Sequence, residues 1–119
     1  KKCIPGLYTI TDSINASGLN DGEYIFAKNN IKKENNSVKI KSDGTLAGSI
    51  VTMDQTFKNL ISMNFSLEEA VALTSYNASK YMNLDNVGVI QKNFLSNFLI
   101  LDKKFNLKEV YLRGKKINV

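Results

Sequence analysis

The pattern of apolar and polar positions divides the chain into a β-rich start, a helical middle and a β-rich end. Residues 7–11 (Leu-Tyr-Thr-Ile-Thr) form a β-branched and aromatic run that predicts a strand, with Asp12 at its C-terminal end. Pro5-Gly6 just before it is a turn signal. A polar loop follows over residues 13–22, with turn residues at Ser17-Gly18 and Asn20-Asp21-Gly22. Residues 23–27, 31–34 and 37–40 read as short strands, and Asn35-Asn36 joins the last two as a hairpin. Ser42-Asp43-Gly44 makes a further turn into the small-residue stretch Thr45-Leu46-Ala47-Gly48-Ser49.

The period then changes. Met53, Phe57, Leu60 and Ile61 recur at i, i+4, i+7 and i+8, the stripe of a helix facing a core. Thr52 with Gln55 predicts a capping box at its start, and Asp54 complements the helix dipole. Ser66-Leu67-Glu68-Glu69 predicts a second capping box, and Leu67, Ala70, Val71 and Thr74 share one face of the helix behind it. A shorter helix is expected over residues 78–82. Beyond a boundary near Asn86-Val87-Gly88 the pattern returns to strands. Phe98-Leu99-Ile100-Leu101 reads as a buried strand, and residues 109–112 and 115–119 as a hairpin about Arg113-Gly114.

Composition adds exclusions. With 119 residues, 43% apolar and 23% charged, the chain has the make-up of a folded globular protein. No apolar run approaches the roughly 18 residues of a membrane span, so no membrane partner is expected. One cysteine, Cys3, permits no intrachain disulfide and fits a cytoplasmic location; it reads either as a reactive thiol or as a small apolar residue. The net charge of +5 comes from 16 basic and 11 acidic residues, the basic ones scattered as pairs such as Lys32-Lys33 and Lys115-Lys116. No aromatic platform interleaves them, so a nucleic-acid partner is not expected. Histidine is absent, and a catalytic zinc or iron site usually draws on imidazole.

Asp12 is the residue with chemical promise. An aspartate ending an apolar strand and entering a Gly-containing loop stands where α/β barrels carry catalytic groups. A carboxylate there needs a partner: a metal-bound water is one, and the backbone of a capped turn is the other. Both readings remain open on Asp12 alone.

Thr11-Asp12-Ser13, Gly18-Leu19-Asn20-Asp21-Gly22-Glu23-Tyr24, Asp43-Gly44-Thr45-Leu46-Ala47-Gly48-Ser49 and Thr52-Met53-Asp54 together resemble the N-acetylglucosamine-6-phosphate deacetylases, a branch of the metal-dependent amidohydrolases. The likeness continues through Ser66-Leu67-Glu68-Glu69-Ala70, Asn77-Ala78-Ser79 and Val110-Tyr111-Leu112-Arg113-Gly114-Lys115. The sequence departs from the family pattern at Ser13 (usually Ala), at Asn20 and Ala78 (usually Pro), and at residues 93–98.

The resemblance implies an α/β fold, the C-terminal part of a (β/α)8 barrel plus C-terminal strands of a small β-sandwich. Residues 1–86 would supply the last barrel strand, a hairpin insertion and helices, and residues 87–119 the sandwich strands. It implies removal of the acetyl group from N-acetylglucosamine 6-phosphate by a metal-activated water, with Asp12 moving the proton. Leu46, Ala47 and Gly48 would line the substrate; the other reading of these residues is a plain turn into the helix. Gly48 has its own physical reason, since backbone without a Cβ approaches a ligand closely. The divalent metal, of zinc or iron class, would have its ligands upstream, none in this chain. The partner would be a small amino-sugar phosphate, and the intact enzyme a homo-oligomer. The chain alone is expected to be inactive and to self-associate through apolar faces left uncovered. A different amidohydrolase and a non-catalytic binding module are the alternatives.

Overall fold

The computed structural model describes residues 6–118, and among them two antiparallel sheets and two helical stretches form. The chain makes two compact units, one of Ile10–Thr56 and one joining residues up to Thr9 with those from Phe57 on.

In the first unit, β1 (Gly22–Phe26), β2 (Asn29–Glu34) and β3 (Ser37–Ile40) form a meander in that spatial order. Asn35 and Asn36 turn the β2–β3 hairpin with φ of 49° and 62°, a left-handed pair that asparagine tolerates better than most residues. The β1–β2 turn has the same handedness at Ala27 and Lys28, φ 47° and 70°, without asparagine or glycine. Tyr24, Phe26, Ile31, Val38 and Ile40 pack against Ile14, Ala16 and Ala47 as the core of this unit. Lys41 pairs with Glu23 at 2.7 Å, a solvated contact of little energetic weight.

The strand expected at residues 7–11 does not form a ladder. A ladder needs a second strand alongside, and among the described residues no sheet includes this segment. Thr9 instead donates both its N–H and its hydroxyl to the Leu73 carbonyl, at 2.8 and 3.2 Å. An isolated parallel bridge links Ser13 to Ser49.

Helix α1 (Met53–Ser62) buries Phe57 and Leu60, as its stripe requires. Helix α2 (Leu67–Val71) opens on the predicted capping box: the Ser66 hydroxyl accepts from the Glu69 N–H at 3.1 Å, and the Glu69 carboxylate accepts from the Ser66 N–H at 2.8 Å. The helical path then runs on through a π-turn (Ala72–Tyr76) into α3 (Asn77–Tyr81), so the short helix expected at 78–82 is the end of a longer one. Asn77 is buried, and its amide donates to the Leu7 carbonyl at 2.6 Å. Phe57, Leu60, Ala70 and Leu73 make the second core, with Phe105 edge-on to Phe57 at 5.7 Å.

Residues 86–88 lie in a run of turns leading to β4 (Phe98–Leu101), β5 (Leu107–Leu112) and β6 (Lys115–Ile117), again a meander. Arg113 and Gly114 turn the last hairpin, both with positive φ. Phe98 stacks on Tyr111 at 4.6 Å. The expected burial of β4 is only partial: Leu99 is 53% and Ile100 43% exposed.

After β4, the Asp102 carboxylate holds a tight turn. It accepts from the side-chain amide of Asn106 at 3.0 Å, the Asn106 N–H at 2.9 Å and the Lys104 N–H at 2.8 Å. These bonds, the Asn106 amide foremost, with Lys108 nearby, draw its pKa down from 3.8 to about 2. A depressed carboxylate stabilises the folded turn above its unfolded pKa and loses that contribution as pH falls through the folded one. An NMR titration should therefore find the Asp102 carboxyl midpoint near 2. The Lys104 and Asn106 amides should lose protection as pH falls from about 4 toward 2.

Candidate active site

The site is built where residues 12–14 run beside residues 47–51. The Ser49 N–H donates to the Asp12 carbonyl at 2.9 Å, and the Ile14 N–H donates to the Ser49 carbonyl at 3.0 Å. The Ser13 hydroxyl donates to the Val51 carbonyl at 2.7 Å, and the Ser17 hydroxyl to the Ile50 carbonyl at 3.3 Å. Asp12 takes φ of 50°, a left-handed conformation uncommon outside glycine, asparagine and aspartate. Such a residue stays there because its neighbours are pinned: Ile14 and Ala16, just beyond it, are buried in the core.

Gly48 lies against this bend. Its φ is 62°, and a Cβ there would lie 2.5 Å from the Ile14 methyl Cγ2, 3.2 Å from the Asp12 carbonyl and 3.7 Å from Asp12 Oδ2. What approaches Gly48 closely is the Asp12 segment of its own chain. Leu46 is 67% exposed. Ala47 is the exception among the three: its methyl is buried at 5% exposure, and its N–H donates to the Val38 carbonyl at 3.0 Å. Any contact from Ala47 to a ligand would come from backbone.

The turn that delivers Leu46 is fixed in advance. The Asp43 carboxylate accepts from the Thr45 N–H at 2.9 Å, a bond that holds its pKa below the ordinary carboxylate range. The Ile40 N–H donates to the Thr45 carbonyl and Ala47 follows the β3 edge, so residues 45–47 extend the sheet. The result is an exposed carboxylate, bent toward a bare glycine, on a loop tied down on both sides.

The model of the amidohydrolase family matches residues 8–117. The chain belongs to the amidohydrolase family. An N-acetylglucosamine-6-phosphate deacetylase of Lysinibacillus sphaericus is 33% identical over 111 residues, covering 92% of this chain and 28% of that protein. A putative N-acetylgalactosamine-6-phosphate deacetylase of Escherichia coli is 24% identical over 108 residues, covering 89% of this chain and 64% of its own length. The crystal structure of an N-acetylglucosamine-6-phosphate deacetylase from Thermotoga maritima superposes with a TM-score of 0.88 at 31% identity, over 98% of this chain and 32% of that one. The chain therefore spans about a third or less of the first and last of these proteins.

The amidohydrolase family in general works with a divalent metal. The residues here do not make such a site: the sequence has no histidine, and no cluster of three or more Cys, Asp or Glu side chains among the described residues is arranged to hold an ion. Cys3 lies outside the described residues. One residue of the site went unmarked in the sequence. Lys33 is 9% exposed and donates from its ammonium to the Leu19 carbonyl in the loop behind Asp12. The signal was there, since Ile31 faces the core and a strand's period of two turns Lys33 the same way.

Substituting Gly48→Ala should cost about 1–3 kcal/mol, because the added methyl meets Ile14 and the left-handed backbone disfavours any Cβ. Urea unfolding that reports on residues 10–56 checks this, with Gly44→Ala, which meets nothing within 4 Å, as the comparison for backbone strain alone.

Proposed function

We propose that this chain forms part of an enzyme that hydrolyses the acetamide of N-acetylglucosamine 6-phosphate to glucosamine 6-phosphate and acetate. Asp12 is the proton carrier. The observation that supports this most is the Asp12 carboxylate bent against Gly48, in a chain matched along 98% of its length by a deacetylase structure. The whole reaction needs the remainder of such an enzyme, so the chain by itself is expected to turn over no substrate, and the enzyme is read as a cytoplasmic homo-oligomer.

In this reading the ionised Asp12 accepts a proton from water as the water oxygen attacks the acetamide carbonyl carbon. The tetrahedral adduct then collapses. Asp12 returns the proton to the sugar nitrogen, the C–N bond breaks, and acetate departs. One carboxylate serves as base and then acid because the second step needs the proton that the first step supplied. Leu46 and the backbone at 47 and 48 would line the acetamide beside the carboxylate. Deacetylation of N-acetylgalactosamine 6-phosphate is the second reading, favoured by the Escherichia coli relative.

In the full-length protein carrying this chain, Asp12→Asn should lower kcat by about 10²–10⁴-fold with KM little changed, since an amide cannot accept the proton. Steady-state kinetics on both sugar phosphates, wild type and variant, check it. Unaltered kcat removes Asp12 from the reaction, and no turnover of either sugar by wild type favours a binding module.

Self-association of the isolated chain is also proposed. Leu99, Val110 and Ile117 lie in register on one face of the β4–β6 sheet, with Leu112 beside them, and Leu99, Leu112 and Ile117 are 53%, 50% and 38% exposed. Sedimentation velocity should show species above monomer whose share grows with concentration. A single monomer boundary at high concentration overturns this.

A further inference from the structure

Lys33 occupies a core position of the first unit. On β2 it shares the inward face with Ile31, and it sits across from Gly22 on β1 and Val38 on β3. Its ammonium donates to the Leu19 carbonyl, and none of the ion pairs among the described residues includes it. A lysine held at 9% exposure, with its ammonium on a neutral carbonyl, adds little stability that an apolar side chain of the same length would not. Stability of the sheet therefore does not account for a lysine here. What the ammonium does, and an apolar chain cannot, is grip Leu19.

The next carbonyl along is gripped as well. Tyr24, on the same inner face of the sheet, donates its hydroxyl to the Asn20 carbonyl at 2.7 Å. Nearer Asp12, the Ser17 N–H closes on the Ile14 carbonyl at 3.0 Å, and the Leu19 N–H on the Ala16 carbonyl at 3.3 Å. Ile14 and Ala16 are themselves buried against Ile31 and Val38. The loop from Asp12 to Asn20 is thus held at its near end by packing and at its far end by Lys33 and Tyr24.

We propose that Lys33 is a positioning residue for Asp12, acting through the Leu19 carbonyl with Tyr24 as its partner; this rests on the reading of Asp12 as the proton carrier. Asp12 keeps its left-handed backbone only while the segment beyond it cannot relax. Loss of the far anchor lets the loop open, and a carboxylate displaced by a fraction of an ångström transfers its proton less well.

The test uses the full-length protein with Lys33→Met, Lys33→Arg and Tyr24→Phe. It measures thermal unfolding, hydrogen exchange of the Ser17 and Leu19 amides, and kcat and KM. Lys33→Met should unfold at the wild-type temperature or above it. Its two loop amides should exchange about tenfold faster, and kcat should fall by about tenfold while KM stays within about twofold. Lys33→Arg, which keeps a donor, should restore most of both. Tyr24→Phe should show the same split more weakly, and it carries the test if Lys33→Met does not fold.

Unchanged exchange in both Lys33→Met and Tyr24→Phe overturns the proposal. So does faster exchange with unaltered kcat, which would leave the Asp12 reading standing. A fall in unfolding temperature that parallels the fall in kcat, in Met and Arg variants alike, also overturns it, since that is mere packing. Failure of the Asp12 reading is seen separately, in Asp12→Asn, and the exchange measurement requires no substrate.

Discussion

A pair of backbone hydrogen bonds organises everything around Asp12. The Asp12 carbonyl accepts from Ser49, and the Ser49 carbonyl accepts from Ile14, so two segments far apart in sequence lie side by side. That spacing leaves no room for a Cβ at residue 48. It also commits Ile14 to the core, where it meets Ala16, Ile31, Val38 and Ala47. The bend at Asp12, the bare glycine and the small core are consequences of one local crossing.

The loop that carries Asp12 is accordingly unlike most loops. Connecting segments usually satisfy their polar groups with water and move. This one gives its carbonyls to side chains of the sheet and its hydroxyls to residues 50 and 51. Such preorganisation suits a proton-transfer group, whose efficiency depends on standing at the right distance before the reaction begins. The β4–β6 sheet contrasts with it: paired within itself, turned by a well-bonded Asp102, yet showing apolar side chains to solvent.

Much of the local structure was legible. The stripe of α1, the Ser66–Glu69 box, and the hairpins at Asn35-Asn36 and Arg113-Gly114 follow from residue chemistry that acts over a few positions. The turn at Ala27-Lys28 was not legible, because neither residue announces a left-handed conformation and the pairing of β1 with β2 imposes it. The π-turn joining α2 to α3 was hidden for a similar reason: nothing in Ala-Leu-Thr-Ser-Tyr signals a wider helical turn. Residues 7–11 have strand composition, but composition supplies no partner, and Thr9 bonds to a helix carbonyl instead.

The amino-acid order by itself determined the elements, the candidate carboxylate and the glycine stretch, since propensity, capping and φ preference are properties of neighbouring residues. Only the tertiary structure decided which side chains meet. It turned Ala47 inward, left Leu46 in solvent, brought Gly48 against Asp12, and buried a lysine among apolar residues. Those outcomes depend on strand register and on a crossing of segments more than thirty residues apart, and a local pattern holds no information on either.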